Sequence, residues 1–369
     1  MPLSWGLPFR SGMMQIRRVV TWAVAVAMLA GAPALIAQNN QQPNRRDQER
    51  RSQADQKDIQ ALVQTVDAVA SGKQPAPTDI PLRWEGNHFL RGGDGSTYIP
   101  FTIVADASKL ASPATALYIR VVNKNAPQPA APAAEQNNNN RNRNQQTPAA
   151  VPYPWDNVNF IEVKGDGKLA RAIALKPGEY EMFITMKERS PLEQPRNAPP
   201  VKMGMLRHEI TVPDFGGAEI TTSSILLGSV EQIATPLTPE QQQENPYTFG
   251  NMKVVPSSDA KLKKSGELQV LFWVYGTQAN AGKPDVQIEY NFHQKTPEGE
   301  KYFNKTAPQV LNASTLPPQF DVAAGHQLPG SLVVPLASFP VGDYRLEIKV
   351  TDKISGKAFT QNVSFTVEA

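Results

Sequence analysis

From Pro81 onward the apolar residues fall into short runs of period two. Leu82/Trp84, Ile99/Phe101/Ile103, Leu117/Ile119/Val121, Leu169/Ile173/Leu175, Tyr180/Met182/Ile184 and Leu206/His208/Ile210/Val212 each alternate with polar or small neighbours. Such alternation predicts strands with one buried face. A second set starts near Tyr247, with Leu268/Val270/Phe272/Val274, Val286/Ile288/Tyr290/Phe292, Leu332/Val334, Tyr344/Leu346/Ile348/Val350 and Phe359/Val363/Phe365/Val367. Turn clusters such as Gly92-Gly-Asp-Gly95 and Gly165-Asp-Gly167 separate the runs, the spacing expected of antiparallel sandwiches or barrels. Ahead of them the period changes. Ile59, Leu62, Val63, Val66, Val69 and Ala70 recur at three- and four-residue steps, predicting one short amphipathic helix over residues 58–72. Asp55 or Asp58 is placed to cap it and Gly72 to stop it, and its stripe is expected to pack on the following domain.

Between these patterns lie stretches that cannot build a core. Residues 38–57 are Gln, Asn, Arg and Asp with almost nothing apolar, and read as a disordered tether. Residues 123–152 form a low-complexity insertion, and four prolines crowd residues 190–202. Residues 214–246, ending in a Pro- and Gln-rich run, read as a linker. The resulting expectation is all-β: a domain over residues 80–213 and another over residues 247–369, two antiparallel β-sandwiches in tandem.

An internal repeat refines that expectation. Leu175-Lys-Pro-Gly-Glu-Tyr180 precedes an alternating strand in the first domain, and Phe339-Pro-Val-Gly-Asp-Tyr344 does so in the second. Gly178 and Gly342 supply the corner, and Tyr180 and Tyr344 open the penultimate strand. The pattern resembles the tyrosine corner of immunoglobulin-like sandwiches, which implies a buried ring whose hydroxyl bonds back to the corner backbone. Met182 and Leu346 stand where antibody domains place a cysteine. The fold implied is two tandem immunoglobulin-like sandwiches, with these four residues in structural roles.

Composition narrows the chemistry. The chain of 369 residues has no Cys, which removes disulfides, thiolate catalysis and cysteine-ligated metals together. Its formal charge of +3 comes from Arg10, Arg17 and Arg18, since no acidic residue occurs before Gln38. The remainder is formally neutral, so nothing in the global charge favours nucleic acid or anionic lipid. Those arginines precede the apolar run from Val19 to Ala30 and the small residues around Ala34 and Ala37. Basic, apolar and small-residue parts in that order predict a cleaved signal peptide over residues 1–37. The apolar run is too short to span a bilayer, which takes ~20 residues. The expected location is periplasmic or extracellular in a bacterial envelope, with no membrane span after cleavage.

Pro246-Tyr-Thr-Phe-Gly-Asn-Met-Lys-Val-Val-Pro256, Gly266-Glu-Leu-Gln-Val-Leu-Phe-Trp-Val-Tyr275 and Phe339 to Val367 resemble the C-terminal β-domains of exported acidobacterial proteins. These domains accompany the von Willebrand factor A-related and Gly-Trp-x-Thr-Asp group. Trp84-x-x-Asn87-His88-Phe89 with Tyr98-Ile-Pro-Phe-Thr102 is similar to the β-region after the A-type domain there. The resemblance covers roughly residues 82 to 369. No Gly-Trp-x-Thr-Asp occurs, and Asp106-Ala-Ser108 lacks the second serine of the A-domain metal motif, so metal-dependent adhesion does not carry over.

Enzymatic signatures are absent. His88, His208, His293 and His326 stand in no metal-ligand spacing, and no nucleophile elbow or phosphate loop occurs. Asp94 and Asp166 lie among glycines without a continuing Asp ladder, so turns are expected rather than calcium. Neither a metal nor a cofactor is expected. The candidate binding residues are aromatic. Trp273 alternates out of phase with Phe272 and Val274, so it turns away from the core, either to solvent or under cover of the linker or the neighbouring domain, and Trp155 follows the insertion. Both suit a protein contact or stacking on a sugar. The function expected is a non-catalytic envelope protein with a protein partner; the alternative is a carbohydrate-binding module for a polysaccharide, with an unrecognised hydrolase third.

Overall fold

A computed structural model describes residues 45–125, 153–193 and 200–369. The signal peptide, residues 38–44 of the tether and residues 126–152 of the insertion lie outside the described residues. The described chain is all-β apart from the N-terminal helix α1 (Arg45–Ala70), one 3-10 turn and the short helix α2 (Pro239–Glu244). Helix α1 is longer than the pattern predicts, which corrects the tether reading for residues 45–57. Its first half is polar because ion pairs rather than apolar contacts hold it. At its end Gly72, at φ 71°, closes a Schellman turn, with Gly72 N donating to Val69 O and Lys73 N to Ala68 O.

Domain 1 comprises β1 (Leu82–Asn87), β2 (Leu90–Arg91), β3 (Thr97–Ala105), β4 (Ala114–Asn123), β5 (Trp155–Glu162), β6 (Lys168–Leu175), β7 (Gly178–Glu188) and β8 (Met203–Val212). One sheet carries β1 and β2 on one side of β3 and β6 on the other; its partner runs β5-β4-β7-β8. Inward positions of both, among them Phe101, Ile119, Ile173, Met182 and Ile210, form one buried core. Period two places them there, so the sequence pattern and the core agree residue by residue.

Domain 2 contains β9 (Thr221–Thr222), β10 (Leu226–Gln232), β11 (Thr248–Phe249), β12 (Met252–Pro256), β13 (Lys261–Lys263), β14 (Glu267–Tyr275), β15 (Val286–Thr296), β16 (Gly299–Lys305), β17 (Gln309–Leu311), β18 (Leu328–Pro335), β19 (Gly342–Asp352) and β20 (Ala358–Glu368). One sheet runs β11-β12-β10-β14-β18 with β9 beside β14; the other runs β13-β20-β19-β15-β16 with β17 beside β15. Phe272, Phe292, Phe339, Tyr344 and Phe365 crowd the core between them. Two expectations need correction. The pair β13–β20 is parallel, so the sheets are not wholly antiparallel. Residues 214–246 are not a free linker, because β9, β10 and α2 lie within them and Phe215, Ile220, Ile225, Leu226 and Leu227 are buried. Composition pointed to a linker there because the Pro/Gln-rich end masks the preceding apolar residues.

The edge strand β18 shows how an apolar edge is closed. Ser331 turns its backbone away from β14, its N–H donating to Gln309 and its carbonyl accepting from the Tyr290 hydroxyl. By the two-residue alternation of an antiparallel ladder, Pro329, Val333 and Pro335 point the same way. Two of those four positions have no N–H to offer and a third is bonded within the domain.

The repeated corners are built alike. The Tyr180 hydroxyl donates to Lys176 O at 2.9 Å and the Tyr344 hydroxyl to Pro340 O at 2.7 Å, each four residues back, with both rings buried. Gly178 and Gly342 hold φ of 154° and 146°, which L side chains rarely adopt.

Candidate binding groove

The sheet β5-β4-β7-β8 has an outer face as well as a core face. Ala116, Tyr118 and Phe183 lie on it and meet Leu62, Val66 and Val69 from the apolar stripe of α1. Three cations rise from the same face or its margin: Arg120, Lys187 and Arg189. Three aspartates of α1 meet them. Asp67 pairs with Arg120, Asp58 with Lys187, and Asp55 takes Arg189 in a two-pronged contact at 2.9 and 2.6 Å. Asp58, with 1% of its surface exposed, also accepts from Ser190 N at 2.9 Å and Ser190 Oγ at 2.5 Å. A buried carboxylate and ammonium are tolerable when paired and further hydrogen bonded in this way. Asp55 also accepts from Arg51 Nε at 2.9 Å. Burial disfavours its charge, but the hydrogen bonds from Arg189 and Arg51 outweigh that and hold its carboxyl below the usual range.

Where the first half of α1 passes over β5 the packing opens. Gln48, Arg51, Ser52, Asp55, Gln56 and Ile59 form one wall of a groove of about 600 Å³, and Phe160 and Leu192 form the other. Phe160 and Leu192 remain 36% and 43% exposed side by side on this wall, and the Arg189 guanidinium lies 4.7 Å from the Phe160 ring centroid. The groove thus combines apolar surface with fixed charges. No group of three or more His, Cys, Asp or Glu residues suited to a metal occurs among the described residues.

The predicted binding residues lie elsewhere. Trp273 does turn away from the domain 2 core, and that face is covered by residues 215–249 and by domain 1, the covered alternative rather than the solvent-facing one. It keeps 9% exposure, stacks edge-on to Phe249 at 4.9 Å, and belongs to a cluster with Leu90 of domain 1 and Phe215, Leu226, Tyr247, Leu271 and Tyr275. This cluster is the seam between the domains. Phe89 and Ser224 exchange bonds, Phe89 N to Ser224 Oγ at 2.8 Å and Ser224 N to Phe89 O at 2.9 Å. Arg91 N donates to the Tyr275 hydroxyl, and the Tyr98 hydroxyl to Pro246 O. Trp155 begins β5 opposite Val121 and packs, half-buried, against the domain 1 core. Trp155 and Trp273 therefore belong to separate clusters and form no common row.

The histidines also have local roles. His88 Nδ1 lies 2.9 Å from the Tyr247 hydroxyl inside the seam, and burial lowers its pKa to about 4. His208 stacks on Trp84 with centroids 3.9 Å apart, and burial lowers its pKa too. His326 Nδ1 accepts from Asp321 N, and His293 meets Tyr302 edge-on. Asp94 sits in a turn at φ 52°, Asp166 accepts from Lys168 N, and Asp106 caps the 3-10 turn through Ser108 N.

Of the groove residues the sequence pattern marks only Ile59, as part of the helix stripe, and Asp55, as a cap. Asp55 and Asp58 stood out only as helix caps, although the i, i+4 spacing of Arg51 and Asp55 was a local sign of a longer helix. Nothing local marks Phe160.

No protein-family model matches the chain, and no curated protein matches it. Among solved structures it is similar to an α2-macroglobulin variant from Salmonella, at 10% identity and TM-score 0.21 over 79% of this chain and 17% of that one. Trypsin-activated α2-macroglobulin from Escherichia coli gives 10% identity and TM-score 0.20 over 80% of this chain and 17% of that one. The native form of the E. coli protein gives the same identity and score, with 16% of its length covered. The chain thus spans about one-sixth of the length of these proteins.

Proposed function

We propose that this chain is a non-catalytic exported protein of the bacterial envelope, in which two immunoglobulin-like sandwiches hold a protein-binding groove. The observation that carries the reading is the groove between α1 and β5, where Phe160 and Leu192 stay exposed while the outer face beside them is closed by α1. Apolar residues gathered in one concave surface and rimmed by polar ones suit a protein contact. The twin corners at Tyr180 and Tyr344 support the immunoglobulin-like assignment, and the tripartite N-terminal sequence supports export. Among the described residues no helix is long and apolar enough to cross a membrane.

The carbohydrate reading needs a solvent-facing aromatic row, and Trp273 lies under the seam instead. Cross-linking in the native envelope followed by mass spectrometry tests the protein-partner reading. A defined partner should be captured by the wild-type chain and lost with Leu192→Asp at unchanged melting temperature. Capture of polysaccharide alone, or turnover of a substrate by the purified chain, would overturn it.

A further inference from the structure

We propose that β5 accepts an extended peptide as an added strand of its sheet, a segment carrying two apolar residues at alternate positions with Lys or Arg two residues beyond each. The proposal deepens the protein-binding reading above and rests on it.

The ladder shows which backbone groups are free. Val163 N donates to Pro113 O on the β5 side of β4, whereas Arg189 N donates to Ala114 O on the β7 side. Odd-numbered residues of β4 therefore bond to β5 and even-numbered ones to β7. In the observed register Val121, Ile119, Leu117 and Thr115 face Trp155, Asn157, Asn159 and Ile161. Asp156, Val158, Phe160 and Glu162 consequently turn their N–H and C=O groups outward, where no backbone partner meets them among the described residues. Two other edges contrast with this one, while β6 and β16, paired among the described residues only with β3 and β15, are edges with no groove residue on them. β18 has Pro329, Pro335 and the Gln309 contact, and the start of β8 is covered by residues 77–80 through Met205 N to Pro77 O and Ile80 N to Met203 O. Four open positions in a row are a template for strand addition.

The same four residues define the guest. Their side chains share one face, the face on which Val158 packs against α1 and Phe160 lines the groove. Residues directly opposite in an added strand lie on that face too, so two apolar guest residues meet Val158 and Phe160 beside Ile59 and Leu192. The outer two meet Asp156 and Glu162, both exposed carboxylates. Asp156 has Arg120 Nε at 3.9 Å, but that guanidinium is already committed to Asp67. A second copy of β5 fits less well. Antiparallel pairing that uses all four open positions sets Asp156 against Glu162 at both ends, like charges face to face.

The test uses the mature full-length chain and a capped synthetic peptide, Thr-Lys-Thr-Val-Thr-Val-Thr-Lys-Thr, with a control in which both Lys are Glu. Fluorescence anisotropy should show the basic peptide binding about tenfold tighter than the acidic one, as two cross-strand charge pairs allow. Hydrogen exchange should slow at the amides of Asp156, Val158, Phe160 and Glu162 on binding. Val158→Pro removes an outward N–H while leaving the β4 ladder bonds in place, and should abolish binding while domain 1 still unfolds cooperatively, with Val158→Ala, which trims the same packing but keeps the N–H, retaining it. Glu162→Lys should reverse the charge preference. Equal affinity for the two peptides, binding without protection of those amides, or full binding by Val158→Pro would overturn the proposal. So would slow exchange at those amides in the free monomer, meaning the chain fills its own edge, or slow exchange that grows with protein concentration, meaning a second copy does. A partner captured in the envelope equally by wild type and Val158→Pro but lost with Leu192→Asp leaves the protein-binding reading standing and removes strand addition.

Discussion

The two domains each cover one outer sheet face, and they do so with opposite chemistry. Domain 1 covers its face with α1, pinned by three Asp–cation pairs around a small apolar centre. Domain 2 covers its face with Phe215, Tyr247 and Phe249 together with Phe89, Leu90 and Tyr98 of domain 1, an aromatic cluster whose polar bonds to domain 1 are chiefly hydroxyl to backbone. The first cover depends on charges that cannot be removed singly, and the second on shape and buried area. A helix fixed by charge has one allowed register, since sliding by a residue separates Asp55, Asp58 and Asp67 from their partners. An aromatic seam instead spreads its stabilisation over many contacts.

The comparison breaks most sharply at Asp58. Asp58→Ala leaves the Lys187 ammonium buried without its carboxylate, and should cost about 3–5 kcal/mol of domain 1 stability by denaturant unfolding. Replacing both partners, as Asp58→Leu with Lys187→Met, should recover most of that loss, because an apolar pair leaves no stranded charge. At the seam, Trp273→Ala should cost about 3 kcal/mol, the low end for a buried aromatic since the ring keeps some exposure. Its diagnostic effect should be calorimetric: with the seam weakened, the unfolding of the two domains should separate into distinct transitions. Tyr247→Phe, which deletes the hydroxyl shared by His88 and Pro100 O, should cost roughly 0.5–1.5 kcal/mol.

Acid sharpens the contrast with the smallest effect at neutral pH. The His88 pKa is lowered to about 4 in the folded chain and is near 6.5 when unfolded, so the unfolded state takes up a proton first. Stability should fall as pH drops from about 6.5 to about 4 and then level off for this group. Asp55 has the same sign in a lower window: its folded pKa is depressed, so its contribution is present above the unfolded value of 3.8 and is lost as pH falls further. Urea midpoints measured across this range should show the seam weakening before the helix contact, and His88→Gln should shrink the upper window, the remainder belonging to His208.

What the sequence made legible follows from distance along the chain. The strands of both cores were readable because alternation is a local signal that burial on one face imposes. The Gly-x-Tyr corners were readable because each bond spans four residues. Trp273 was placed on the correct face of β14, but the sequence carries no mark of what lies above that face. Asp58 and Lys187 are 129 residues apart, and the charge of a helix residue does not announce its partner. Phe160 was overlooked because β5 is framed by Asp and Asn, which hides an apolar position that faces a helix rather than a core. The linker was misjudged for a related reason: Ile225, Leu226 and Leu227 form an unbroken apolar run, which periodicity alone cannot assign to a strand.

The prolines of β18 bear on what happens when many copies are crowded together. Leu332, Val333 and Val334 make an apolar, uncharged stretch of the kind that seeds fibrils, and Val333 stays 58% exposed. Fibril growth requires each incoming strand to find a continuous row of amide donors. With Pro329 and Pro335 at two outward positions and the Ser331 amide already taken by Gln309, only Val333 can donate. An apolar edge is thereby left a poor template for a further strand, as crowding of many copies would require.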